Sequence, residues 1–207
     1  MARTAPIELE TEAWECGLEH VVGVDEAGCG PLAGPVVAAA VALKPGQELE
    51  GVYDSKSLTR KQREELASEI RSEVLAYGIA AASTREIERL NIRRASALAM
   101  RRAIGRLPFR PDLLLVDGNP IPELGEHRPI VKGDRLSLSI ACASILSKTV
   151  RDRLMERLDR HYPEYGWAEN KGYATGYHLT ALRRHGPTPH HRHTWAPIVQ
   201  RELALEA

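Results

Sequence analysis

The sequence predicts an α/β protein, a mixed sheet with helices packed on it and a helical C-terminal part. Three observations carry that prediction. Apolar runs of strand length, rich in Val and Ala, lie in the first two-thirds of the chain. From about Ser137 onward the apolar residues recur at helical spacing instead. No internal repeat, low-complexity tract or long linker breaks the order. Strands early and helices late make a sheet covered by helices the simplest architecture.

Val21-Val22-Gly23-Val24-Asp25 reads as a buried strand ending in acids, and Pro35 to Leu43 reads as a second strand. The glycine-rich turn Gly28 to Gly34 joins them, so the pair is expected to be an antiparallel hairpin. Thr59 is a suitable N-cap for a helix through about Arg71. Val74 to Ala82 reads as a third strand. Asn91 caps a helix to about Arg106, with Ile92, Ala95, Ala99 and Ala103 on one face. Leu113 to Val116 is wholly apolar, as a central strand covered on both faces would be. Arg128 to Lys132 is a weaker strand pattern. Beyond Ser137, Leu146, Val150, Leu154 and Leu158 mark a helix to about Arg160, and Thr175 to Arg184 a further one. His185-Gly186-Pro187 stops it. Thr194 to Glu206 has the pattern of a last helix.

The 207 residues suit one domain, with a core over about 18–145 and a helical part over about 146–207. Lys and Arg balance Asp and Glu, 28 against 28, so bulk charge announces no nucleic-acid binder. The distribution is uneven. Residues 85–110 carry eight arginines against two acids. A basic face and an ordinary solvated helix surface explain that run equally well. The three cysteines, Cys16, Cys29 and Cys142, form no CxxC pair, which favours a reducing cytoplasm over a disulfide framework. No basic-then-apolar leader opens the chain. The longest apolar run, Ala33 to Leu43, is shorter than the roughly 20 residues a bilayer needs. No heptad pattern marks an oligomer seam, so a monomer is expected.

The chemistry is expected from acids in costly places. Asp25 and Glu26 follow one apolar strand directly, Asp117 follows another, and Asp134 lies in Val131-Lys132-Gly133-Asp134. Carboxylates gathered at the ends of buried strands repel one another unless a cation holds them. Oxygen-only ligands suit Mg²⁺ or Mn²⁺ rather than structural zinc. Two such ions roughly 4 Å apart can activate a water and stabilise a leaving oxygen. Neighbouring side chains on a strand point to opposite faces, so Asp25 and Glu26 share a site only if the strand ends or bulges there. Each acidic pair taken alone is more often a turn element than a ligand set.

Other chemistries fit less well. Gly28, Gly30 and Gly34 are spaced G-x-G-x-x-x-G and precede a strand, unlike a dinucleotide fingerprint, and no P-loop motif is present. His185, His190, His191 and His193 lack the cysteines or the H-E-x-x-H helix of common zinc sites and read as exposed tail residues. Ser144 and Lys148 stand four apart on one helix but have no oxyanion element beside them.

Several ordered segments decide among these readings. Val24-Asp25-Glu26-Ala27-Gly28-Cys29-Gly30-Pro31-Leu32-Ala33-Gly34-Pro35-Val36 closely resembles the opening motif of the ribonuclease HII family. Asp54-Ser55-Lys56 with Leu58 resembles its second block. Val116-Asp117-Gly118, Val131-Lys132-Gly133-Asp134 and Ala143-Ser144-Ile145 resemble the third. Arg151-Asp152-Arg153 and Lys171-Gly172-Tyr173-Ala174-Thr175 resemble the fourth, and His191-Arg192 with Pro197 the closing segment. The resemblance runs from about Val21 to Pro197.

The resemblance implies a ribonuclease H fold, a five-stranded mixed sheet flanked by helices with a C-terminal helical extension. It implies an endonuclease that cuts the RNA strand of RNA/DNA hybrids and beside ribonucleotides embedded in DNA, leaving 3′-hydroxyl and 5′-phosphate ends. It implies that Asp25, Glu26, Asp117 and Asp134 bind Mn²⁺ or Mg²⁺. It implies that Gly28, Cys29, Gly30 and Tyr173 meet the substrate at the ribose, since a protein must touch the 2′-hydroxyl or the sugar pucker to tell RNA from DNA. Lys56 is a candidate phosphate contact, with Lys132, Lys148 and Arg151 as further candidates.

One departure stands out. The family usually has Gly-Arg-Gly where this chain has Gly28-Cys29-Gly30. Backbone sensing survives the change, but a charge-assisted phosphate contact does not. Weaker substrate binding or an altered junction preference is therefore expected. A non-catalytic hybrid-binding protein on the same fold is the rival reading; Cys29 favours it and the four intact acids oppose it. Residues 201–207 lack the aromatic pair of a sliding-clamp-binding tail.

Overall fold

The computed structural model describes residues 3–196 and 198. Its strands are β1 (Val21–Ala27), β2 (Val36–Ala42), β3 (Ala76–Ala82), β4 (Leu113–Asp117) and β5 (Arg128–Ile130). Its helices are α1 (Glu8–Glu15), α2 (Arg60–Glu73), α3 (Thr84–Leu90), α4 (Ile92–Ile104), α5 (Leu138–Asp159), α6 (Trp167–Asn170) and α7 (Gly176–His185). The strands form one five-stranded mixed sheet in the order β3-β2-β1-β4-β5. β1 pairs antiparallel with β2 and parallel with β4, so β1 is the hinge between the two modes.

β2 is buried along its whole length. Its side chains alternate between two cores, as a period of two requires. Val36, Ala38, Ala40 and Ala42 pack with Ala95, Ala99, Met100 and Ala103 of α4. Ala39 and Val41 pack with Ala141, Cys142 and Ile145 of α5, and with Ala67 and Ile70 of α2. Small residues let the helices lie close. A Cβ on Gly23 would stand 2.3 Å from the Ser139 carbonyl carbon, so α5 rests directly on β1.

The helix starts follow capping chemistry. Thr59 and Ser83 each form a capping box, with Gln62 and Glu86 as the reciprocal partners. Asn91, Ser137 and Thr175 accept from the third residue beyond them. Glu10 of α1 adds an anion at the start of α5, where its Oε1 accepts from the Ser139 amide and from the Ser137 and Ser139 hydroxyls.

Several expectations need correction. Helices α1, α3 and α6 were not anticipated, being short and weakly patterned. β5 stops at Ile130, because Lys132 turns left-handed at φ 61°. In α5 the expected Leu146-Val150-Leu154-Leu158 stripe is only half-buried beyond Leu146, while Leu138 to Ser147 is buried on every side. A helix enclosed all round shows no stripe. The last helix pattern, Thr194 to Glu206, falls largely outside the described residues, as do residues 201–207.

Three arginines of the basic run have local partners. Arg102 binds Glu86 and donates to the Ala81 carbonyl, Arg106 donates to the Ile79 carbonyl, and Arg94 reaches Glu123. Two of these arginines therefore cover the open edge of β3.

Candidate active site

The topology places the acids. The β1–β4 pairing ends at Val24↔Val116, so Asp25 and Asp117 are the next residues on adjacent parallel strands. Both follow the pleat that faces α5. Glu26 follows the opposite pleat, toward α4. Contrary to expectation, β1 neither ends nor bulges at Glu26, which stays in register with Ala38 of β2. The two acids line one cavity of about 510 Å³ because β4 has left β1 on its other side. The cavity reaches round that open flank.

Asp134 enters from the short turn Gly133–Arg135. Asp117 fixes that turn, its Oδ1 accepting from the Gly133 amide at 2.6 Å. Arg135 ties the turn to Asp54 at 2.7 Å. Burial works against the charge on Asp54, but the Lys56 amide and Arg135 outweigh it and hold Asp54 below its ordinary value. This brace was not anticipated, because nothing in the spacing of residues 54 and 135 announces it.

Electrostatics sets the four acids apart. Burial, then Glu26 and Asp117, raise the Asp25 carboxyl well above its ordinary value. Burial also raises Glu26, with Asp117 adding to it. Partial burial and then Asp117 and Asp54 raise Asp134. Among the described residues no Lys or Arg forms an ion pair with any of the four. As placed, no three His, Cys, Asp or Glu groups among those residues form a closed metal-holding set. Bare carboxylates resist such closure. An oxygen-only donor set of this kind fits a hard divalent cation better than zinc or copper.

The glycine turn forms the adjoining wall. Gly28 takes φ 98°, and a Cβ there would meet the Arg151 guanidinium at 2.0 Å, so only glycine fits. Cys29 donates from Sγ to Glu26 Oε1 at 3.3 Å. Burial and then Glu26 push its thiol up, so it stays protonated. The short side chain points toward the α4 core rather than out of the turn. Gly30 abuts Tyr173, whose ring lies 3.6 Å from where a Cβ would stand. Tyr173 is 47% exposed. The glycines, Cys29 and Tyr173 thus form one surface beside the acids.

The candidate cations separate. Lys56 is exposed at the cavity rim, and Lys132 is exposed outside it. Lys148 is held by Asp152 at 2.5 Å. Arg151 is no phosphate contact: it is 1% exposed and donates to the carbonyls of Ala33, Pro35 and Lys171. The histidines are not a uniformly exposed tail either. His185 is exposed, His190 and His193 are half-buried, and His191 is fully buried 3.0 Å from His178. Ser144 shares a hydrogen bond with Ser55 and meets Asp25, with no free base at hand.

A five-stranded mixed sheet with acids converging at the parted ends of two parallel strands defines a ribonuclease H-like nuclease fold. The crystal structure of ribonuclease H2 from Pyrococcus horikoshii matches with a TM-score of 0.76 at 26% identity, covering 90% of this chain and 99% of that one. Bst-RNase HIII in complex with Mn²⁺ matches with a TM-score of 0.74 at 21% identity, over 93% of this chain and 72% of that one, and speaks for the fold alone. The chain belongs to the ribonuclease HII family, whose model matches residues 22–198. A ribonuclease HII of Cereibacter sphaeroides is 56% identical over 191 residues, 91% of this chain and 90% of the relative. No helix among the described residues is long and apolar enough to cross a membrane.

Proposed function

We infer that this chain is a divalent-metal-dependent endoribonuclease that hydrolyses the RNA strand of RNA/DNA hybrids and incises beside ribonucleotides embedded in DNA. One observation carries the site assignment. Four carboxylates that form no ion pair among the described residues meet at a cavity whose next wall is the glycine turn and Tyr173. Asp25, Glu26, Asp117 and Asp134 would hold Mg²⁺ or Mn²⁺, since both accept the same oxygen donors. A bound ion of this type supplies Lewis-acid stabilisation and a water of lowered pKa.

The chain's own residues do the rest. Asp117 couples the β4 end to the turn that carries Asp134, so the acids are positioned together. Gly30 leaves room for the Tyr173 ring and for a close sugar. Lys56, at the rim, meets a phosphate as a positioning contact without sequence preference. The products carry 3′-hydroxyl and 5′-phosphate ends. Cytoplasmic action fits the three free cysteines, and a monomer remains the expected state because no heptad pattern marks an oligomer seam.

A labelled DNA duplex with one ribonucleotide tests the reading, incubated with Mg²⁺, Mn²⁺ or chelator. Incision beside the ribonucleotide with either ion, absent in chelator and in Asp117→Asn protein, is expected. Binding without incision under every condition would instead favour the non-catalytic hybrid binder.

A further inference from the structure

The glycine turn and the Tyr173 loop come from distant parts of the chain, yet one short segment holds both. The Arg192 guanidinium, 0% exposed, donates to the carbonyls of Gly28 at 2.5 Å, Cys29 at 2.8 Å and Gly34 at 3.0 Å. The backbone repeats the grip. Arg192 N–H donates to Leu32, and Gly34 N–H donates to His190. Peptides are trans, so carbonyls drawn toward Arg192 turn the Cys29 and Gly30 N–H groups the other way. Among the described residues neither N–H has a protein acceptor.

His191 reaches the tyrosine. Its Nδ1 accepts from the Thr188 amide at 2.9 Å, which leaves its proton on Nε2. That proton is donated to His178 Nε2 at 3.0 Å, which also accepts from Trp167. The His178 proton therefore sits on Nδ1 and is donated to the Tyr173 carbonyl at 2.9 Å. Each donor has one direction, so the chain of bonds is fixed.

We propose that His191 and Arg192 are positioning residues for sugar selection, setting the spacing between the outward N–H groups of the glycine turn and the Tyr173 ring. This rests on the reading that those two elements meet the ribose. Lysine cannot replace Arg192, because a single ammonium cannot span carbonyls six residues apart as the guanidinium fork does. Loosening either arm widens the gap that a ribose must bridge, while the acids, held by β1 and β4, stay in place.

The test compares affinity for a DNA duplex bearing one ribonucleotide with affinity for the same duplex in all-DNA form. Fluorescence anisotropy reads both, with Ca²⁺ replacing the catalytic ion. In Arg192→Lys protein the ribonucleotide preference should fall about tenfold, the equivalent of about one charge-assisted bond, mostly through weaker ribonucleotide binding. His191→Gln, which leaves the turn untouched, should lower it by a smaller factor and serves if Arg192→Lys fails to fold. A folded variant that retains the preference, or loses affinity equally for both duplexes, overturns the proposal. A wild-type protein with no preference overturns the ribose reading itself, and the proposal with it.

Discussion

The acids at the ends of β1 and β4 and the guanidiniums beneath the glycine turn are both charge taken out of water, but only the guanidiniums are satisfied by the protein. Arg151 and Arg192 spend their donors on carbonyls of residues 28–35 and 171. Asp25, Glu26 and Asp134 are instead pushed above their ordinary values by burial first and then by neighbouring carboxylates, Asp117 acting on all three. Saturated charge fixes geometry and does no chemistry. Charge without an opposite partner costs stability and attracts a counter-charge. The turn's carbonyls meet cationic donors, whereas the acids meet only neutral ones: the Glu26 and Gly133 amides, the Cys29 thiol and the Ser144 hydroxyl.

The largest break in this contrast is Asp117→Asn. Cleavage should fall at least a hundredfold in a steady-state assay, as expected when a group that organises a metal site is removed. The same change relieves repulsion on Asp25 and Glu26, so the metal-free variant should melt higher than the metal-free parent in calorimetry. A lower melting temperature would mean that the acids are not in conflict.

Arg151→Met attacks the satisfied side. It strands three backbone carbonyls and should cost roughly 3 to 5 kcal/mol by urea denaturation. A loss below about 1 kcal/mol would show that water replaces the guanidinium freely.

Acid titration separates the two regions more gently. Burial, followed by His178, lowers His191 from 6.5 to about 3. Its contribution to stability is full above pH 6.5 and is lost as pH falls toward 3, because the unfolded chain takes up a proton that the folded chain refuses. The raised acids act in the opposite sense, their penalty growing as pH rises above about 4. Urea midpoints between pH 7.5 and 4.5 should therefore fall more steeply in Asp117→Asn than in the parent. Parallel curves would refute the balance.

The smallest effect is expected at Cys29. Cys29→Arg adds a cation on the turn and should lower KM about threefold to tenfold, as one added phosphate contact would. Equal KM values in both forms would show that the turn works through its backbone alone.

The sequence made the acids, the hairpin and most helix starts legible, because each depends on local pattern. Thr59, Asn91, Ser137 and Thr175 mark helix starts by capping chemistry followed by a long periodic run, whereas the capping box at Ser83 opens too short a helix to stand out. Glu26 shows the limit. Period-two reasoning correctly put it on the opposite face from Asp25, but the condition that the strand end or bulge there was wrong: past the end of the β1–β4 pairing both acids line one cavity. Arg151 shows another. An arginine near a nuclease motif reads as a phosphate contact until the carbonyls around it are known. The histidines failed for the same reason, since burial of His191 arises from Tyr165 and Trp167 packed against it.

The edge of β3 has a consequence beyond the site. Arg102 and Arg106 fill the outward carbonyls of Ala81 and Ile79. An uncovered edge is a template on which a second chain can add a strand and start a fibril. With two acceptors occupied and a positive charge beside each, an incoming strand must first displace a cation. Two arginines of the basic stretch thus shield the sheet edge against strand addition.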